Sequence, residues 1–130
     1  MAVSANQLAE ISSPGRINLP VAAGKTLYAG TLSFEAAGLA SDVIAAGANR
    51  FCGLVVSEAS DTVGEGRVEL RTNCDVLLPG SGFAAGDIGV ACYASDNYTV
   101  TKTSTSNSVI GTVVEVLSAT SVRIRLSIEA

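Results

Sequence analysis

The chain has 130 residues and a formal net charge of −4, and 48% of its residues are hydrophobic, 15% charged and 5% aromatic. This length suits a single domain that folds without a metal or a disulfide. The absence of histidine excludes the usual general base, the Ser–His and Cys–His nucleophile pairs and the commonest zinc ligand, and the eight Lys and Arg residues are too scattered to form a nucleic-acid stripe.

Residues 1–20 are predicted to form an extended N-terminal arm. They show no sustained periodicity, and the sequence Ser-Ser-Pro-Gly at 12–15, followed by Pro20, would interrupt a regular element. The first ten residues also lack the basic and apolar regions of a signal peptide, and no stretch reaches the roughly 18 apolar residues of a membrane helix. We therefore expect a protein that is made in the cytoplasm.

From residue 25 onward the sequence is typical of an all-β domain, because short β-branched runs alternate with Gly, Asn and Asp. The Ala/Gly-rich stretch 36–49 is predicted to be a connection with at most one helical turn. In the last strand Val122, Ile124 and Leu126 alternate with polar residues, which places one face on a core. The pattern predicts a small antiparallel β-barrel or sandwich. The predicted strands are 26–35, 51–58, 67–72, 73–78, 88–94, 98–103, 109–117 and 120–128.

The two halves of the chain share three segments in the same order. Residues 22–24 match 84–86, residues 53–56 match 111–114, and residues 68–71 match 122–125. Longer loops in the first half, over 36–49 and 60–65, account for the different spacing. We therefore predict that the single β domain, 21–130, is an internal duplication covering approximately 22–72 and 84–127, whose two similar β-units shield each other's edges.

The three cysteines show no metal-binding spacing. Cys52, Cys74 and Cys92 are odd in number and far apart, and no histidine is present to activate a thiol. We predict that they are small buried apolar side chains of a protein in a reducing compartment.

The other chemical motifs are incomplete. The glycines at 80–82 and 86–89 lack the Gly-Lys-Ser/Thr ending of a phosphate loop, and Asp96 with Asn97 lacks the spacing of a calcium loop. Five carboxylates could be considered for a glycosidase pair, although no aromatic platform accompanies them. They are Glu65, Glu69, Asp75, Asp87 and Asp96. We expect no catalytic residue, no cofactor and no metal.

The C-terminal half resembles a family of small tailed-phage proteins, the capsid cement or head decoration proteins. The likeness rests on residues 84–87, 98–101 and 109–114 and on the ending Val-Arg-Ile-Arg-Leu at 122–126, and it extends over roughly residues 20–128. The resemblance implies a virion protein, not an enzyme, that binds the outside of a phage head between subunits of the major capsid protein. It also implies a homo-oligomer, a trimer rather than a dimer. The long 36–49 connection departs from shorter members.

Nine residues are candidate contacts with the capsid or with another subunit. An extended arm can pair with a neighbouring strand, and arginines on strand faces suit ion pairs with an acidic partner. The low charge is also typical of a subunit whose exterior faces neighbours. The candidates are Ile11, Pro14, Arg16, Ile17, Leu19, Arg67, Arg71, Arg123 and Arg125.

Two alternatives stay open. A receptor- or glycan-binding module displayed on a virion would bind saccharide as an isolated protein, although the scarcity of aromatic residues disfavours it. A small hydrolase with a carboxylate or cysteine site would need a concave pocket with clustered titratable groups.

Overall fold

The computed structural model describes residues 16–62 and 66–127, and this part of the chain forms two five-stranded sheets and one two-stranded sheet, all antiparallel. The predicted all-β fold is confirmed, although none of the sheets in these two described ranges closes into a barrel. The strands are β1 (Arg16–Pro20), β2 (Thr26–Leu27), β3 (Leu32–Ala36), β4 (Leu39–Ser41), β5 (Arg50–Val55), β6 (Ala59–Ser60), β7 (Arg67–Arg71), β8 (Asp75–Pro79), β9 (Ala91–Ala94), β10 (Val100–Thr101), β11 (Ser108–Ser118) and β12 (Ser121–Leu126). Short 3-10 turns lie at Ala45–Gly47 and Ala85–Asp87.

The two five-stranded sheets have the same topology. The first has the strand order β1-β7-β5-β3-β4, and the second, read from its β8 edge, has the order β8-β12-β11-β9-β10. In each sheet the first strand in sequence therefore pairs with the last, the last with the fourth, the fourth with the second, and the second with the third. We call these sheets, with their connecting loops, the first unit and the second unit.

The register of equivalent strand pairs is also the same over the positions that pair in both units. The pairing of β3 with β5 skips Cys52, and the pairing of β9 with β11 skips Ile110, which occupies the equivalent position. A bulge of this kind adds one residue to one strand and bends it. Because strand order, direction and bulge position all coincide, the two similar units predicted from the sequence are present, and each also includes the strand that precedes the matched segments.

Two hydrophobic clusters hold the molecule together. The larger one combines Leu32, Phe34 and Phe51 of the first unit with the interior of the second, so it joins the two units. The Phe34 and Phe51 rings meet edge to face with centroids 6.2 Å apart. The smaller cluster lies within the first unit, around residues such as Val55 and Leu70. The molecule is thus two copies of one sheet that share a core.

Three boundaries differ from those predicted. Residues 16–20, assigned to the arm, form β1 and pair with β7. The predicted strand 26–35 is divided into β2 and β3, and the predicted connection 36–49 contains β4. Residues 1–15, which make up most of the predicted arm, lie outside the described residues.

Candidate functional site

A cleft of about 290 Å³ lies between the two units. Its walls are the beginning of β5 in the first unit and, in the second, the end of β9 and the beginning of β11. Residues 49–51 and 107–109 occupy equivalent positions, so the cleft forms where the same strand of each unit starts. Its lining residues are Gly47, Asn49, Arg50, Phe51, Tyr93, Asn107, Ser108 and Val109.

The two walls are joined by direct contacts. Ser108 Oγ donates a 2.7 Å hydrogen bond to the Asn49 carbonyl oxygen across the junction. A side chain at Gly47 would lie too close to the backbone of Asn107, since an added Cβ would be 2.8 Å from its carbonyl oxygen. The loop before β5 therefore packs directly on the loop before β11, and the shape of the cleft is fixed by both units.

The lining of the cleft combines apolar and polar side chains. Phe51 is buried, and Tyr93 and Val109 are half-buried. The side-chain amide nitrogens of Asn49 and Asn107 donate to carbonyl oxygens of their own loops, at 2.8 and 3.0 Å. Each asparagine is thus held in place by its own unit.

Arg50 brings a positive charge to the cleft. Its side chain is exposed, and it makes no ion pair with any residue of the described part of the chain. Glu35 lies opposite Arg50 in the β3–β5 pair, but its Oε1 atom accepts a hydrogen bond from the Gly38 amide. The guanidinium group is therefore available to an external anion.

The rim beside Gly47 has an unusual backbone. Ala45, Ala46 and Gly47 are consecutive residues with positive φ angles of 52°, 53° and 89°. For alanine this left-handed region costs roughly 1–2 kcal/mol per residue, because Cβ approaches the following carbonyl oxygen. Strained backbone of this kind is found preferentially at binding sites and switches.

The predicted arginine contacts differ between the units. In the second unit Arg125 donates two hydrogen bonds to the Asp75 carboxylate, at 2.9 and 3.1 Å, and this contact lowers the pKa of Asp75. Arg123 is paired with Glu115 at 3.0 Å. In the first unit, Arg67 donates to Asn18, whereas Arg71 is exposed and makes no ion pair within the described residues.

The predicted arm contacts fall into two groups. Ile11 and Pro14 lie outside the described residues. Arg16 begins β1, opposite Arg71, and Ile17 and Leu19 are half-buried against the smaller hydrophobic cluster. The last two therefore help to build the core of the first unit.

The candidate carboxylates are dispersed. Asp87 is bonded to the Lys102 ammonium at 2.9 Å and to the Ala84 amide, and both contacts lower its pKa. Asp96 accepts hydrogen bonds from the two backbone amides that follow Asn97, as in a turn. Glu65 lies outside the described residues, which contain no group of three or more acidic, Cys or His side chains able to hold a metal ion.

The cysteines are free thiols. Cys52 and Cys92 are buried as predicted, and burial raises the pKa of the Cys52 thiol to about 11 and that of Cys92 to about 12. Cys74 is half-buried and packs on the larger hydrophobic cluster. At neutral pH the two buried side chains therefore stay protonated and serve as packing.

Comparison with known proteins found no matching family model, no matching curated protein and no matching solved structure. Among the described residues, no helix has the length and apolar character needed to cross a membrane.

Sequence reasoning missed the cleft residues Arg50, Tyr93 and Asn107. A signal for two of them was present, because the matching segments around Gly53 and Gly111 extend back to an asparagine at 49 and 107. Extending the match would have shown Arg50 and Ser108 at equivalent positions.

Proposed function

We propose that this protein is a structural virion protein that binds the outer surface of a tailed-phage head between major capsid protein subunits and stabilises the shell. The proposal includes assembly as a homo-oligomer, with a trimer favoured by the resemblance to decoration proteins. It assigns no catalytic activity and no cofactor to the chain.

The observation that carries the proposal is the surface. Eight large apolar side chains are exposed among the described residues, including Leu77 at 44%, Leu117 at 50% and Ile88 at 61%. Four of the lysine and arginine side chains form ion pairs with carboxylates of the same chain. A surface of low charge with several exposed large apolar side chains is suited to contact with other proteins.

A decoration protein needs no chemistry to stabilise a shell. A ligand that binds the assembled lattice and not the separated subunits shifts the equilibrium toward the lattice, by about 2.7 kcal/mol per site when its free concentration is a hundred times its Kd. Two equivalent sheets on a common core give a body that can bind without first becoming ordered, which avoids an entropic cost.

The test uses heads assembled from the genome that encodes this chain with its own gene deleted. Purified protein added to these heads is expected to bind saturably, to give density on the outer surface in cryo-electron microscopy, and to raise the temperature at which the heads release DNA. Removal of residues 1–15 is expected to leave a folded domain that no longer binds. Absence of surface density with the full-length protein would overturn the proposal, and undiminished binding by the shortened protein would overturn the role of the arm.

A further inference from the structure

We propose that the cleft between the two units binds a segment of a partner protein in which an apolar side chain stands next to a carboxylate, with Arg50 as the partner of that carboxylate. The inference deepens the proposed function, because it assigns one surface and one ligand chemistry to the contact with the shell protein.

The size of the cleft favours one or two side chains. The volume of the cleft is about 290 Å³. This is too small for a helix and large enough for an apolar side chain and its acidic neighbour. The apolar part of such a ligand would lie on Phe51, Tyr93 and Val109, the large apolar side chains of the lining.

The charge of the cleft favours a carboxylate. Lys25, Lys102, Arg123 and Arg125 each have a carboxylate of the same chain within 3.2 Å, whereas Arg50 has none within the described residues. A guanidinium group presents parallel N–H donors that match the two oxygens of a carboxylate. A single guanidinium in the cleft of a protein of net charge −4 is a poor match for the repeated phosphates of a nucleic acid.

The cleft is formed before any ligand arrives. Ser108 already donates to the Asn49 carbonyl, and the left-handed backbone at Ala45 and Ala46 is held by hydrogen bonds from the amides of Gly47, Ala48 and Asn49. The free-energy cost of the left-handed conformation is offset when the chain folds and does not reduce the binding free energy, so a ligand would bind a preorganised site. In this proposal, the role of the strained rim is to hold the cleft in the shape that binds the ligand.

The isolated protein tests the cleft directly. The probes are the blocked dipeptides N-acetyl-Leu-Glu-N-methylamide and N-acetyl-Leu-Gln-N-methylamide, which differ in charge and hardly in shape. In ¹H–¹⁵N spectra the glutamate peptide is expected to shift the amides of residues 47–51, 93 and 107–109 saturably, and the glutamine peptide to bind about tenfold more weakly, as expected for loss of a charged hydrogen bond. Absence of a saturable shift at these residues, or equal affinity of the two peptides, would overturn the site.

Two variants and one control sharpen the test. Arg50→Gln is expected to reduce affinity for the glutamate peptide about tenfold and to leave affinity for the glutamine peptide unchanged. Val109→Phe introduces the residue found at the equivalent position 51 and is expected to fill the cleft and abolish binding of both peptides. Arg71→Gln removes an equally unpaired, exposed arginine outside the cleft and is expected to leave the affinity for both dipeptides unchanged. Equal losses in Arg50→Gln and Arg71→Gln would show general attraction to charge and would overturn the site.

The same variants separate this inference from the proposed function. If wild-type protein decorates heads and Arg50→Gln binds them at least about tenfold more weakly, both stand. If Arg50→Gln and Val109→Phe decorate heads as well as wild type, the cleft is not the shell contact while the decoration function remains. If wild type does not bind heads, the decoration function fails, and the dipeptide titration alone decides whether the cleft binds carboxylates.

Discussion

At the scale of single residues, the duplication explains why the same glycine occurs in both halves. Gly53 and Gly111 occupy equivalent positions on β5 and β11, directly after the bulge. A Cβ at Gly111 would overlap the carbonyl oxygen of Arg125, and a Cβ at Gly53 would lie 2.7 Å from Cβ of Leu70. In both units the fourth strand approaches the last one so closely that only glycine fits.

Gly111→Ala is therefore expected to destabilise the protein by about 3 kcal/mol or more, since the obstructing atoms belong to the backbone and cannot rotate away. Gly86→Ala is the matched control, because an added Cβ there meets nothing within 4 Å. The control is expected to change the free energy of unfolding by less than about 1 kcal/mol. Urea denaturation measures both, and similar losses in the two variants would contradict the close approach.

At the scale of elements, an ion pair is repeated with its charges exchanged. In the first unit Lys25 Nζ lies 3.2 Å from Asp42 Oδ1, and in the second Lys102 Nζ lies 2.9 Å from Asp87 Oδ2. Lys25 and Asp87 both follow an Ala-Ala-Gly turn, and both donate their backbone amide to its first residue. Asp42 and Lys102 both follow the third strand of their unit. Both units thus have an ion pair between the turn and the third strand, but the turn carries the lysine in the first unit and the aspartate in the second.

This exchange predicts that the first unit also folds with an aspartate at position 25 and a lysine at position 42. Lys25→Asp and Asp42→Lys are each expected to cost about 0.5–1 kcal/mol, since each places like charges together at a partly exposed site, and the double variant is expected to recover most of that loss. A double-mutant cycle of unfolding free energies measures the coupling. Additive losses in the double variant would mean that the two side chains do not interact.

The strands that the sequence failed to predict have weak local signals. The loop between β3 and β4 consists of Ala37 and Gly38, both with positive φ, and a two-residue hairpin of this type usually carries Asn-Gly or Asp-Gly. Because alanine occupies the first position, this hairpin lacks the usual sequence signal, and residues 36–49 were predicted to be a connection. The first strand, β1, ends at Pro20 and gains its order from pairing with β7, which is distant in sequence. Strong alternation, as in β12, was sufficient for prediction, whereas short edge strands depended on partners that local patterns do not reveal.

At the scale of the whole molecule, the cleft and the core both arise from the contact between the units. Arg50 and Asn107 belong to the extended match between the two halves, but the sequence does not show that they line a cleft, because the site exists only after one unit is placed on the other. The buried residues Leu32, Phe34 and Phe51 have the same origin, since they lie in the first unit but pack into the core of the second. The duplication was visible in the sequence, while the way in which the copies meet was not.

This shared core predicts that the two units unfold together. Leu70 is fully buried in the smaller cluster, which belongs to the first unit alone, so Leu70→Ala is expected to cost about 2–5 kcal/mol there. Because Phe34 and Phe51 of the destabilised unit complete the core of the other, the backbone amides of β12 are expected to lose as much protection from hydrogen exchange as those of β7. Phe34→Ala removes a side chain from the core that joins the units, so it is the reference for a change that destabilises both units directly. If Leu70→Ala lowered protection in β7 and left β12 unchanged, the units would be independent folding domains, and the cleft between them would not be held rigidly enough to act as a preformed site.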